Sequence, residues 1–173
     1  MAYDLLEFCK DCRQAISIHE KDTALETIRE RLEVLLRNQT FVSQYCSPTN
    51  KTGVHTLHHD KKFGFMVISH VPEHSRQSPP HDHGHSWAIY GQAVGYTDMS
   101  RFERIDDGSV PGNAHVKKIN DFRLEPGFAG TFGPGEIHSI RFSEGARFIR
   151  VTGTDLSRIT TRKFDRENGT VSE

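Results

Sequence analysis

A chain of 173 residues with a formal net charge of −1 is long enough to bury a proper core as one domain, and it has no basic excess of the kind that nucleic acid selects. No apolar run approaches the length of a membrane span, and the N-terminus lacks the apolar core of a leader, so neither membrane nor nucleic acid is an expected partner and a cytoplasmic location is expected. Cys9, Cys12 and Cys46 are too few and too odd in number for a disulfide framework, and Cys9-Lys10-Asp11-Cys12 sits in a helical pattern with no second pair, which predicts reduced thiols.

In chain order, Asp4 to about Ser17 reads as a helix, with Asp4 as cap, Glu7 three residues on, and Leu5, Phe8, Cys12 and Ile16 near one stripe. Thr23-Ala24-Leu25-Glu26 has the form of a capping box and predicts a second helix to about Asn38. Its buried stripe is Leu25, Ile28, Leu32, Leu35 and Leu36, with Arg29, Glu30, Glu33 and Arg37 on the wet side. Residues 1–40 are thus a helical cap. From Phe41 to Asp60 the pattern breaks up, apart from a short strand at His55-Thr56-Leu57-His58.

Strands are predicted at 63–70, 87–95, 96–105, 115–119, 129–132, 138–142 and 147–152, punctuated by Gly and Pro. Short strands at this spacing argue for an antiparallel barrel or sandwich over residues 60–155. The tail after Arg162 is polar and predicted to be loosely ordered. No linker divides the chain, so residues 1–173 form a single domain.

The chemistry concentrates at Pro80-His81-Asp82-His83-Gly84-His85-Ser86-Trp87. On a strand His81 and His83 point to one face, as two ligands of one metal must. His138, after the turn Gly133-Pro134-Gly135-Glu136-Ile137, is the third candidate. Alternation places Asp82 outward. His55, His58, His59, His70 and His74 have no regular ligand spacing and read as surface or loop residues.

At these residues the sequence resembles the cupins, whose fold is a double-stranded β-helix, or jelly-roll, barrel; the expected class is therefore all-β with N-terminal helices. His81-x-His83 and Gly95 match the first cupin motif, with Ala88 in its Glu slot; Gly127, Gly135 and His138 match the second, with Gly133 and Phe142 at its Pro and Asn positions. Three His without the Glu is the pattern of the thiol dioxygenases, and Lys62-Phe63-Gly64-Phe65-Met66-Val67-Ile68 with Gly135-Glu136-Ile137-His138 is similar to the cysteine dioxygenase family. That resemblance implies Fe(II) at His81, His83 and His138, a small-molecule substrate and O2 as partners, and a monomer or homodimer. Those enzymes also carry a Ser-x-His-x-Tyr set on the strand after the third histidine, where this chain has Phe148, Arg150 and Thr152, and their carboxylate-binding Arg has no counterpart between Ser47 and Lys61.

Three neutral imidazoles suit Fe(II) first, with Zn, Ni or Mn as alternatives. Arg150, on the inward face of its strand, either grips a substrate carboxylate or pairs internally with Glu103 or Glu136. His85 is either a donor beside the metal or a solvated rim residue, and Trp87 follows its alternation; Tyr90, Gln92 and Tyr96 are candidates for pocket hydrogen bonds. The metal set is His81, His83 and His138, and the catalytic candidates are Arg150, His85 and Tyr90. The expected activity is dioxygenation of a small organic acid, with a thiol as one class. A redox-neutral metal enzyme and a non-enzymatic small-molecule-binding barrel are the alternatives.

Overall fold

A computed structural model describes residues 3–173. Three helices, α1 (Leu5–Ile18), α2 (Lys21–Leu36) and α3 (Gln39–Tyr45), precede β1 (Gly53–His59), β2 (Met66–Val71), β3 (Arg76–Gln77), β4 (Ala88–Val94) and β5 (Thr97–Arg104). There follow β6 (Val116–Leu124), β7 (Ala129–Phe132), β8 (Ile137–Phe142), β9 (Arg147–Thr152), β10 (Lys163–Asp165) and β11 (Thr170–Ser172). One sheet has the order β1-β2-β9-β4-β7 and the other β3-β8-β5-β6, all antiparallel. With β1 as an added edge, the order 2-9-4-7 facing 3-8-5-6 is that of an eight-stranded jelly roll.

Alternation along the strands separates three apolar layers. Ala88, Tyr90, Met99, Phe132, Phe142 and Phe148 meet between the sheets. The opposite face of the five-stranded sheet presents Val67, Ile89, Ile149 and Val151 to the helices, against Phe8, Cys12, Ile28, Leu32 and Leu35. Each such fully buried aliphatic side chain contributes about 1.5–3 kcal/mol, which holds the helical cap on the barrel. Cys9 and Cys12 face this layer as free thiols, Cys9 pushed up to about 11 by burial, a poor state for metal or redox chemistry.

The fit of α2 is close. A Cβ at Gly91 on β4 would stand 2.6 Å from Leu36 Cδ1 and 2.7 Å from Leu32 Cδ2, so even one methyl forces these leucines, or the helix that carries them, to shift. Gly91→Ala is expected to destabilise the protein by about 1–3 kcal/mol in chemical denaturation. An unchanged midpoint shows that the helix can retreat without loss.

The expected N-cap of α1 forms, as a capping box with Asp4 accepting from the Glu7 N–H and Glu7 from that of Asp4. The second helix, however, starts at Lys21, ahead of the Thr23 box, so Thr23 lies inside the first turn and its carbonyl accepts from the Thr27 hydroxyl. Glu33 is half-buried and not wet, accepting from Arg29 and from the Ala129 N–H. A third helix, α3, occupies part of the segment read as irregular, started by Asn38, which accepts from the N–H groups of Thr40 and Phe41.

The tail is ordered. β10 and β11 form a hairpin whose Phe164 and Val171 cover Phe102, Val116 and Ile137 on the outer face of the four-stranded sheet. Its backbone is tied to the barrel, since the Phe164 N–H donates to the Pro80 carbonyl and the Ala114 N–H to that of Gly169.

Candidate metal centre

His81 and His138 form an antiparallel backbone bridge, each N–H donating to the other's carbonyl at 2.9 Å. Directly opposed residues present their side chains to one face, so this pairing brings two distant imidazoles together, and His83, two residues on, joins them. Ring centroids are 4.5 Å apart for His81 and His138, and 5.0 Å for each of the pairs with His83. One nitrogen from each ring lies within 4.8 Å of the others.

The other ring nitrogens show which lone pairs are free. Nδ1 of His81 donates to the Pro79 carbonyl at 2.9 Å, and Nδ1 of His138 to that of Glu136 at 3.2 Å. A carbonyl only accepts, so both rings carry their proton on Nδ1 and leave Nε2 open as a ligand. Burial, the largest cause, pushes all three imidazoles down, His83 to about 3, so each is neutral at physiological pH. Three neutral imidazoles converging in a buried site fit a divalent ion, and His83 Nδ1, buried without a partner, marks the site as polar and incompletely paired.

An open cavity of about 840 Å³ reaches this cluster and is lined by His70, Ser78, His81, Tyr90, Phe148 and Arg150 among others. Arg150 points inward as expected from its alternation with Phe148, beside Tyr90, its cross-strand partner. The internal pair with Glu136 is not made: Glu136 binds Arg101 at 2.9 Å and accepts from the Gly133 N–H. Among the described residues Arg150 has no ion-pair partner, and its Nε is buried without a hydrogen bond. Tyr90 is buried, its hydroxyl 3.0 Å from His83 Nε2 and 3.4 Å from His138 Nε2. Burial pushes its phenol up, and the Arg150 guanidinium works against that.

His85, Trp87, Gln92 and Tyr96 are placed away from the cluster. The expected strand through the histidines is reduced to the His81 bridge, β4 begins only at Ala88, and the alternation stops at Gly84, whose φ of +53° belongs to a turn closed by the Ser86 N–H on the His83 carbonyl. His85 is left exposed at the surface, and Trp87 packs among the helix-facing residues. Gln92 accepts from the Thr97 hydroxyl at 2.7 Å, and Tyr96 lies under the Arg123 guanidinium.

Three residues that matter here do not stand out in the sequence. His70, read as a surface residue, lines the cavity and stacks on Phe148 with centroids 4.6 Å apart. Its Nε2 is buried without a partner, and burial, then the nearby Arg150 charge, pushes it down to about 3. A signal for it exists, since β2 alternation puts His70 on the face of Ile68, opposite Arg150. Phe132 stacks on His138 at 4.0 Å, with the Arg101 guanidinium 4.5 Å from its ring centre. Asp82, expected to point outward, is instead fully buried and pairs with Arg162.

No family profile and no curated protein matches the sequence. Among solved structures the chain is similar to a hydroquinone 1,2-dioxygenase in complex with Cd2+ and 4-hydroxybenzonitrile, at 13% identity over 64% of this chain and 69% of that one, with a TM-score of 0.46. It is similar to the Cnp3 cupin domain of Schizosaccharomyces pombe at 14% identity, covering 62% and 71% of the two chains with a TM-score of 0.45. A Klebsiella pneumoniae protein with a double-stranded beta-helix domain gives 14% identity, 70% and 87% coverage and a TM-score of 0.45. The jelly-roll assignment stands on the strand order, and the metal centre on the histidine geometry. No helix among the described residues is long and apolar enough to cross a membrane.

Proposed function

We propose that this chain is a mononuclear metal enzyme of the cupin class that uses O2 to oxidise a small organic acid, with thiol-bearing acids as the first class to examine. The observation that carries the reading is the joint placement of the three-histidine cluster and an Arg150 guanidinium without a carboxylate partner on one cavity. A planar fork left free in a partly desolvated wall matches a substrate carboxylate.

His81, His83 and His138 hold the ion, Fe(II) by preference, which supplies Lewis acidity and redox activity toward O2. Arg150 holds the carboxylate and thereby fixes how the rest of a small acid extends toward the histidines. Ile140, Phe142 and Phe148 line the approach and keep water from the reacting end. Tyr90 brings a hydroxyl to the histidines from β4, where the thiol dioxygenases bring theirs from the strand equivalent to β9. The unpartnered Nε2 of His70 favours one alternative, a redox-neutral isomerase, lyase or hydrolase, because a neutral imidazole facing the cavity can hydrogen-bond a polar substrate group.

Elemental analysis of freshly purified protein, followed by O2-uptake assays of the iron-loaded form with small thiol, hydroxy and amino carboxylic acids, tests the reading. Bound iron with substrate-dependent uptake is the expected result. Zinc or nickel with conversion and no uptake selects the redox-neutral enzyme, and absence of any metal leaves a binding barrel.

A further inference from the structure

We infer that the phenolic oxygen of Tyr90 is the fourth protein ligand of the ion held by His81, His83 and His138, replacing the carboxylate that the cupin motif would put at position 88. This rests on the metal-centre reading above and adds a ligand to it.

The distances carry the inference. Two ligand atoms each about 2.1 Å from one ion stand about 3.0 Å apart at a right angle and about 3.4 Å apart at a tetrahedral angle. The Tyr90 oxygen lies 3.0 Å from His83 Nε2 and 3.4 Å from His138 Nε2, so it already occupies a ligand position relative to both. Its ring cannot swing clear, because it is fully buried between Phe132, edge-on at 5.9 Å, and Phe148 at 6.3 Å. The strand explains the exchange of residue. Ala88 and Tyr90 are two apart on β4 and share the face between the sheets. Ala88 has no donor atom, and the next residue on that face reaches the histidines with an oxygen.

The proton positions are the second observation. The Nδ1 donations to Pro79 and Glu136 leave Nε2 of His81 and His138 as lone pairs, and the Tyr90 hydroxyl, with a single proton, can donate to only one of the two nitrogens it stands beside. A cation among them would give each lone pair a partner. A nitrogen and oxygen set of this kind suits iron, zinc or copper, and the phenolate charge cancels part of the ion's charge as the motif Glu would. Arg150 lies opposite Tyr90 across the β4–β9 pair, so its charge would favour that oxygen as an anion once an ion is bound.

Wild-type protein and Tyr90→Phe are loaded with Fe(II) anaerobically, assayed for iron, then oxidised to Fe(III) with ferricyanide. Visible absorption and resonance Raman spectra are recorded on each. Wild type is expected to show an intense phenolate-to-Fe(III) band with tyrosinate ring modes, and Tyr96→Phe to keep both. Tyr90→Phe is expected to lose both when saturated with iron, and to bind iron at least about tenfold more weakly. Stoichiometric iron in wild type without tyrosinate modes, or modes that survive in Tyr90→Phe, overturns the assignment while leaving the histidine site intact. No iron uptake by wild type overturns both readings together. The wild-type Raman spectrum alone decides whether any tyrosine is bound, whether or not the variant folds. Of the four tyrosines, Tyr3 bonds Asp11, Tyr45 packs on Phe41 and Tyr96 lies under Arg123, away from the cluster.

Discussion

Arg150→Met is expected to abolish the response to small carboxylates while leaving the melting temperature unchanged or higher. The two effects have one cause. The guanidinium is half-buried with no ion-pair partner among the described residues, and its Nε is buried without a hydrogen bond, so the metal-free protein carries part of the desolvation cost of that charge with no carboxylate to offset it. Methionine fills a similar volume and removes that cost, a gain of about 1 kcal/mol, or about 2–4 °C for a chain of this size. A bound carboxylate, in contrast, loses a charge-assisted fork, which costs about 2–5 kcal/mol when the pair is desolvated.

Thermal scans of wild type and variant, with and without a panel of small carboxylic acids, separate the two. Wild type should gain stability with its preferred acid, and Arg150→Met should start level or higher and gain nothing. Arg150→Lys keeps the charge without the planar fork and should respond weakly. A melting temperature that falls in Arg150→Met with the response retained would make the arginine a structural prop. That result would take the substrate half of the proposal with it.

How much of the molecule is legible in the sequence depends on how far each signal reaches. β7 and β9 begin and end where the Gly and Pro punctuation puts them, because turn chemistry is local. The inward face of β9 follows from alternation, which is why Arg150 can be placed on it. His70 obeys the same rule on β2, but ligand spacing is blind to it, since strand facing and not spacing brings it to the cavity. His85 and Trp87 go the other way: alternation carried through Gly84 misplaces both, because a turn there separates the His81 bridge from β4.

The short helix α3 has seven residues, too few for a periodic stripe, and the Asn38 cap is its only local mark. The hairpin of β10 and β11 buries little more than Phe164 and Val171 from a polar segment, so composition reads it as loose. Its order comes from contacts with residues some eighty positions away, exemplified by the Asp82–Arg162 pair, which no local pattern encodes.

That pair is the source of the second large effect. Asp82 stands between two histidines of the cluster, and its carboxylate accepts from Arg162 Nε at 2.7 Å, from Arg162 Nη2 at 2.5 Å and from the Gly84 and Arg162 N–H groups at 3.1 and 3.2 Å. Its side chain is 0% exposed, whereas that of Arg162 is 41% exposed. The two partners are therefore unequal. Arg162→Ala strands a buried carboxylate with backbone donors alone, while Asp82→Asn keeps the shape and lets the arginine turn to solvent. Breaking a buried pair costs about 3–5 kcal/mol. With one partner partly solvated, about 2–3 kcal/mol is expected for Arg162→Ala, and less for Asp82→Asn.

Both changes loosen the hairpin that backs His81, which is bridged to Lys163 as well as to His138. Metal affinity should fall about 10–100-fold in each, as for outer partners that orient ligands. Denaturation of the metal-free proteins and metal titrations of the folded ones measure the two effects independently. An Arg162→Ala protein within about 0.5 kcal/mol of wild type, the range of an ordinary surface substitution, and with unaltered affinity, would show that the histidine loop holds its shape without the tail. The ordering seen in stability, arginine loss worse than aspartate loss, distinguishes a buried charge deprived of its partner from mere loss of a contact, which would penalise both substitutions alike.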